Sequence, residues 1–203
     1  MIVTAVEPRR KSLSALYIDG EFAMKLDTQT LLENRISPGV ELDDEDLHRL
    51  VELSDLRRAK EKALWLISYR DHSSKELYDK LRRDYSQDAA EKALERMQEL
   101  GLINDEAFAS RYATELHSKH QSPSTIRYKL IQKGIDKEVA EEIVEGLDID
   151  PTEEISALIE KKYARSLTDE KGIKRTVAAL QRAGYRFSDI KSVLSDYIQD
   201  DYD

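Results

Sequence analysis

The sequence predicts an all-α chain of about three tandem three-helix repeats forming an elongated, curved array behind a small N-terminal β-hairpin and helix segment. Three observations predict it. The composition is rich in Ala, Leu, Glu, Lys and Arg, with 36% charged residues and only seven glycines and four prolines in 203 residues, the mixture expected of helices with solvated faces. From Arg57 onward helical periodicity is broken only by capping signals. The chain also repeats itself: Ser73, Leu77 and Leu81 recur as Ser122, Ile126 and Leu130 at an offset of 49 residues, and Leu130 and Gly134 recur as Leu180 and Gly184 at an offset of 50. A fixed period of that length marks stacked helical units.

Residues 1–56 read differently from the rest. Alternating runs at 2–6, 13–18 and 21–26 surround Asp19-Gly20, a pair whose glycine supplies the positive φ of a primed turn, so a small hairpin is expected. Asp27-Thr28 then caps a short helix through about Asn34, Pro38-Gly39 turns the chain, and 43–56 reads as a second helix with acidic residues in its first turn. The first repeat (57–103) places helices at 57–70, 74–84 and 87–100. The second (104–150) places them at 105–119, 123–133 and 137–146, and the third (151–203) at 152–166, 169–183 and 188–198. The boundaries have a chemical basis. Ser73 followed by Glu76 is a capping-box pattern. Gly101, Gly134 and Gly184 sit where a left-handed residue closes a last turn, and Pro123 and Pro151 sit where a missing N–H costs little. Leu77, Leu81, Ala90, Ala93, Leu94, Met97 and Leu100 form the apolar stripe and are read as core.

Several function classes drop out. Without cysteine there is no disulfide, thiolate metal site or cysteine nucleophile, which fits a reducing cytoplasm. No signal-peptide pattern and no apolar run of membrane-spanning length is visible, so a soluble cytoplasmic protein with no membrane partner is expected. The glycines never cluster into a phosphate loop. His117 and His120 share a helix face, but no acidic or cysteine motif completes a metal site, so they read as solvated surface residues. The pairs Glu141-Glu142 and Glu153-Glu154 read as solubilising, and no serine lies in a nucleophile elbow. The expectation is a non-enzymatic, monomeric protein with no cofactor and no metal.

Charge carries more information. The net charge is -9, yet residues 1–56 hold six basic and twelve acidic side chains, residues 57–135 hold sixteen and twelve, and residues 136–203 hold ten and seventeen. A basic middle between acidic flanks suggests a segment that faces a polyanion or an acidic groove. Arg82, Arg83, Arg111, Lys119, Arg127, Lys129 and Lys133 are interleaved there with Tyr85, Tyr112 and Tyr128. These basic residues together with Tyr112 are the candidate contacts for a partner, since cations reach phosphates or carboxylates and tyrosine stacks on a base or anchors an interface.

At this point the residues resemble a known family. The run Ala63-Leu64-Trp65-Leu66-Ile67-Ser68-Tyr69-Arg70, followed by Ser73, Glu76, Leu77 and Leu81, is similar to the first-repeat signature of RecX regulatory proteins. Leu100-Gly101-Leu102-Ile103-Asn104-Asp105-Glu106-Ala107-Phe108-Ala109 with Tyr112 is similar to that family's entry into its second repeat, and Ile126, Leu130 and Lys133-Gly134-Ile135 resemble the helix and loop that follow. The likeness covers about 57–198, and the hairpin segment resembles an extension of some members. It implies binding to the RecA nucleoprotein filament in its helical groove, with inhibition of recombinase and co-protease activities in DNA repair and the SOS response. Where members often carry Gly-Pro after an arginine-rich lead-in, this chain has Lys119-His120-Gln121-Ser122-Pro123-Ser124-Thr125. Fewer charges there imply weak direct binding to single- or double-stranded DNA, weakened further by salt. Two other readings stand beside it: a direct DNA-binding regulator that uses one three-helix unit as a helix-turn-helix, with the helix from Pro123 as its recognition helix, and a helical scaffold for another protein partner.

Overall fold

The computed structural model describes residues 1–199. The chain opens with a three-stranded antiparallel meander, β1 (Val3–Pro8), β2 (Leu13–Ile18) and β3 (Glu21–Asp27), in the order β1-β2-β3. Asp19 and Gly20 turn at φ 50° and 88° between β2 and β3, as the primed turn requires. The expected two-stranded hairpin is therefore one strand short. The first alternating run pairs along β2 from Val3 opposite Ile18 to Pro8 opposite Ser14, because a lone hairpin cannot bury a face. That face closes over Val3, Leu16, Leu26, Leu31, Leu42 and Leu50. Asp27 caps α1 (Thr28–Glu33) by accepting the Thr30 N–H.

The largest departure from expectation comes next. The helices expected at 43–56 and 57–70 are one continuous helix, α2 (Asp44–Tyr69), of 26 residues. It starts at a capping box between Asp43 and Asp46 and buries Leu50 and Ser54 first, then Ala59, Ala63 and Leu66. Ser54-Asp55 could have opened a new helix. Instead the Ser54 hydroxyl accepts the Asp27 N–H at 2.8 Å, and Arg57 Nε pairs with the buried Asp27 carboxylate at 3.1 Å. Both groups are engaged across the fold, so nothing breaks the helix, and α2 carries the sheet and the first repeat in a single compact unit, Met1–Asn104.

The rest of that unit is α3 (Ser74–Leu81) and α4 (Gln87–Glu99), N-capped by Ser73 and Ser86. Ala59, Ala63, Ala89, Ala90 and Ala93 lie at 2% exposure or less and let α2 and α4 pack closely around Leu77, Leu81 and Met97. A second compact unit begins at Asp105. It holds α5 (Asp105–Ser118), α6 (Pro123–Gln132) and α7 (Lys137–Glu145) around Ile126 and Leu130. It continues with α8 (Pro151–Leu158), α9 (Glu170–Arg182) and α10 (Phe187–Gln199) around Ile155, Leu180 and Ile190.

The repeat read from the sequence is a structural one. Ser73 and Ser122 both cap helices, and Leu77, Leu81, Ile126 and Leu130 are all fully buried. Gly101, Gly134 and Gly184 all take positive φ. The helix expected at 152–166 is the second correction. α8 ends at Leu158 and unwinds through a π turn, Ile159–Tyr163, and a 3-10 turn, Ala164–Ser166. There the Ser166 carbonyl lies so close to α9 that a Cβ on Gly172 would fall 1.7 Å from it. Among the described residues, no helix is long and apolar enough to cross a membrane.

Candidate partner-binding surface

The eight candidate residues divide between the two compact units. Arg82 and Arg83 belong to the first, exposed at the C-terminal end of α3, and Arg82 Nη1 donates to the Tyr85 carbonyl at 2.6 Å. That bond satisfies a carbonyl beyond the helix end, a capping role for a cation. The other six belong to the second unit, and most are engaged locally. Lys119 pairs with Glu115 one turn back on α5. Lys129 Nζ donates to Gln121 Oε1 at 3.0 Å, and Arg127 Nε lies 3.8 Å from Glu141 Oε1. Tyr112 stacks on Phe108 at 5.7 Å between ring centroids, and Lys133 Nζ sits over the Tyr112 ring at 5.6 Å from its centroid, where the ring's negative face attracts it. The structure thus brings Tyr112 and Lys133 together and leaves Arg111 and Tyr128 exposed.

The N-terminal turn of α6 is occupied by the chain itself. The Ser122 N–H donates to the Ala183 carbonyl at 3.2 Å. The Thr125 hydroxyl donates to the same carbonyl at 3.1 Å, and the Ser124 hydroxyl to the Gly184 carbonyl at 3.0 Å. Gly184 makes this clasp possible, since at φ +92° a Cβ would lie 2.0 Å from Thr125 Oγ1 and 2.5 Å from Ser122 Oγ. Beside the clasp, Arg127, Arg186 and Asp189 border a cleft of about 240 Å³.

Two expectations about polar residues are corrected. His117 and His120 are not freely solvated, and Glu154 is not a solubilising charge. His117 Nε2 and His120 Nδ1 donate to the two oxygens of Glu154, at 2.9 and 2.8 Å. His120 closes α5 in the left-handed region, at φ 54°, and the Tyr185 hydroxyl donates to its carbonyl at 3.1 Å. Burial alone would push the Glu154 carboxyl up, but the two imidazoles hold it below the ordinary value. Burial, with the Glu154 charge, pushes the Tyr185 phenol up to about 12. The i, i+3 histidine spacing was visible in the sequence. Its partner lies 34 residues after His120 in another repeat, and only the packing register reveals it. Among the described residues, no group of three or more His, Cys, Asp or Glu side chains is placed to hold a metal ion.

A further surface feature, absent from the residues that the sequence singles out, lies on α2. Trp65 and Tyr69 are 59% and 84% exposed and stack with ring centroids 6.4 Å apart at 21°. Lys62 Nζ caps the Trp65 ring at 4.3 Å.

Comparison with known proteins agrees with this architecture. Residues 59–97 match the RecX first three-helix domain and residues 104–143 match the RecX second three-helix domain. The regulatory protein RecX of Clostridium tetani is 29% identical over 202 residues, covering 97% of this chain and 93% of that protein. That of Caldanaerobacter subterraneus subsp. tengcongensis is 27% identical over 197 residues, covering 96% and 99%. A crystal structure of a regulatory protein RecX has the same fold, with a TM-score of 0.62 at 22% identity over 96% of this chain and 98% of that one. That of RecX from Lactobacillus salivarius matches 70% of this chain and 96% of its own, with a TM-score of 0.58 at 28% identity.

Proposed function

We propose, from the premise that the chain belongs to the RecX family of regulatory proteins, that it acts on the RecA nucleoprotein filament and inhibits its recombinase and co-protease activities. The observation that carries the reading is the ordered pair of RecX three-helix domains within a likeness to regulatory RecX proteins that spans nearly the whole chain. The physical features agree with a regulator that works by contact. The polar clusters of the second unit are spent on holding repeats together, as in the Glu154 clamp and the Gly184 clasp, and a family of regulatory proteins works through surfaces. The cytoplasm, where RecA works, is the compartment this reading requires.

The helix-turn-helix alternative meets a specific obstacle. A recognition helix presents its N-terminal residues to base edges, whereas Ser122, Ser124 and Thr125 of α6 are bonded to Ala183 and Gly184. The filament reading is tested by titrating the protein into RecA-driven strand exchange and single-strand-dependent ATP hydrolysis at physiological salt. Inhibition at concentrations comparable to RecA is expected. An unchanged reaction, with tight sequence-dependent DNA binding by the protein alone, would favour the direct DNA regulator instead. Paired substitutions, Arg82→Gln with Arg83→Gln and Arg127→Gln with Lys129→Gln, then report which unit makes the contact.

A further inference from the structure

The basic excess of the middle segment has a precise location. Residues 57–70 hold five basic side chains and one acidic, whereas residues 71–135 hold eleven of each. The entire positive surplus therefore sits on the second half of α2 and on Arg70, the residue that closes it. Two of those five cations are engaged with carboxylates: Arg57 with Asp27 and Glu33, and Arg70 with Glu76. Glu61, the one acid, is drawn toward Arg57 at 3.7 Å.

Of the other three, Arg58, Lys60 and Lys62, Arg58 and Lys62 are directed at aromatic rings. Arg58 lies 5.6 Å from the Tyr85 ring centroid and Lys62 4.3 Å from that of Trp65. Arg58, Lys62, Trp65 and Tyr69 follow one another at steps of four, three and four, which puts them on one stripe of the helix. The stripe reads cation, cation, ring, ring. Trp65 and Tyr69 are nearly parallel, Lys62 Nζ lies over the Trp65 ring, and Tyr69 is 84% exposed. A large exposed aromatic pair on a strongly charged chain calls for a partner.

We propose that this stripe is a platform for single-stranded nucleic acid. An unpaired base continues the ring column on Tyr69, and the neighbouring phosphates meet Lys62 and Arg58. Single strands fit both halves of the stripe, because every base has a π face and every step along the strand carries a negative charge. Duplex DNA offers the charge without the free faces. An acidic protein surface offers the charge without planar groups to extend the column. The inference does not rest on the filament reading, and its test uses the protein alone, so the two can fail separately.

Trp65 is the only tryptophan of the chain, which makes the site its own reporter. Titrating the full-length protein with a short oligothymidylate at low salt should quench Trp65 emission saturably. Tyr69→Ala should weaken binding about tenfold through the lost stacking. Combined Arg58→Gln and Lys62→Gln should flatten the dependence of log affinity on log salt by about 1.4, two phosphate contacts' worth for a single strand. Tyr69 is too exposed for its truncation to affect folding, and an unchanged far-UV spectrum checks this. Three results would overturn the proposal: no quenching, quenching equally strong with polyglutamate or duplex DNA, or wild-type affinity in Tyr69→Ala.

Discussion

Gly184→Ala probes the way the last two repeats are joined. At φ +92° an alanine leaves the region L residues prefer, a strain of about 1–3 kcal/mol. Its Cβ would also stand 2.0 Å from Thr125 Oγ1 and 2.5 Å from Ser122 Oγ, far inside contact distance. The α9–α10 loop must then retreat from α6, which breaks the bonds from Thr125 to Ala183 and from Ser124 to Gly184, each worth about 1 kcal/mol. The expected loss is about 3–5 kcal/mol. Gly101→Ala is the control, because Gly101 also has positive φ, +67°, but open space around its Cβ direction, so only the strain of about 1–3 kcal/mol applies. Urea unfolding followed by far-UV circular dichroism measures both. Thr125→Ala in the Gly184→Ala background should recover part of the loss by removing the obstructing oxygen, so the two effects should not add. Equal losses in Gly184→Ala and Gly101→Ala would refute the clasp.

Three further outcomes follow from the polar contacts. Ser54→Ala leaves the buried Asp27 N–H without its acceptor and should cost about 1–3 kcal/mol, read as a lower urea midpoint. The Glu154 carboxyl is held below its ordinary value of 4.5 in the fold. The stability it contributes is therefore present above that pH and lost as pH falls through the folded value. Glu154→Gln should flatten the acid limb of the stability profile, and an unchanged limb would exclude the two-histidine clamp. Tyr185 behaves in the opposite sense. Its phenol is raised from 10.0 to about 12, so its contribution is complete below pH 10 and disappears as pH rises toward 12. Absorbance titration near 295 nm should show a late-ionising tyrosine that Tyr185→Phe removes.

What the sequence made legible was local or periodic. Ser73 and Ser122 announce helix starts because a cap is satisfied within three residues, and Gly101, Gly134 and Gly184 announce helix ends because only φ > 0 closes the turn. The Leu77/Ile126 and Leu81/Leu130 correspondences survived because each repeat buries the same positions. What stayed hidden was decided by groups far apart in the chain. Ser54 could have capped a helix, but its hydroxyl belongs to Asp27, 27 residues earlier, and so two expected helices are one. The close approach of the Ser166 carbonyl to Gly172, after α8 has unwound, is likewise visible only in three dimensions.

The candidate surface divides along the same line. Residue type and spacing single out Arg82, Lys119, Arg127 and Lys133 but do not disclose that Glu115 and Glu141 sit within reach of Lys119 and Arg127 or that Tyr112 lies beneath Lys133. Trp65 and Tyr69 stand out in the sequence only within the run Ala63–Arg70 that carries the family resemblance. The continuity of α2 turns them outward, because Ala59, Ala63 and Leu66 already fill its buried side.

The central claim, regulation through the RecA filament, is tested most directly by binding. The protein is sedimented with RecA filaments assembled on single-stranded DNA at physiological salt, beside free RecA and bare DNA. Saturable cosedimentation with the filament, exceeding binding to bare DNA and to free RecA, is expected. Protein left in the supernatant at saturating filament, or carried down equally by bare DNA, would contradict it.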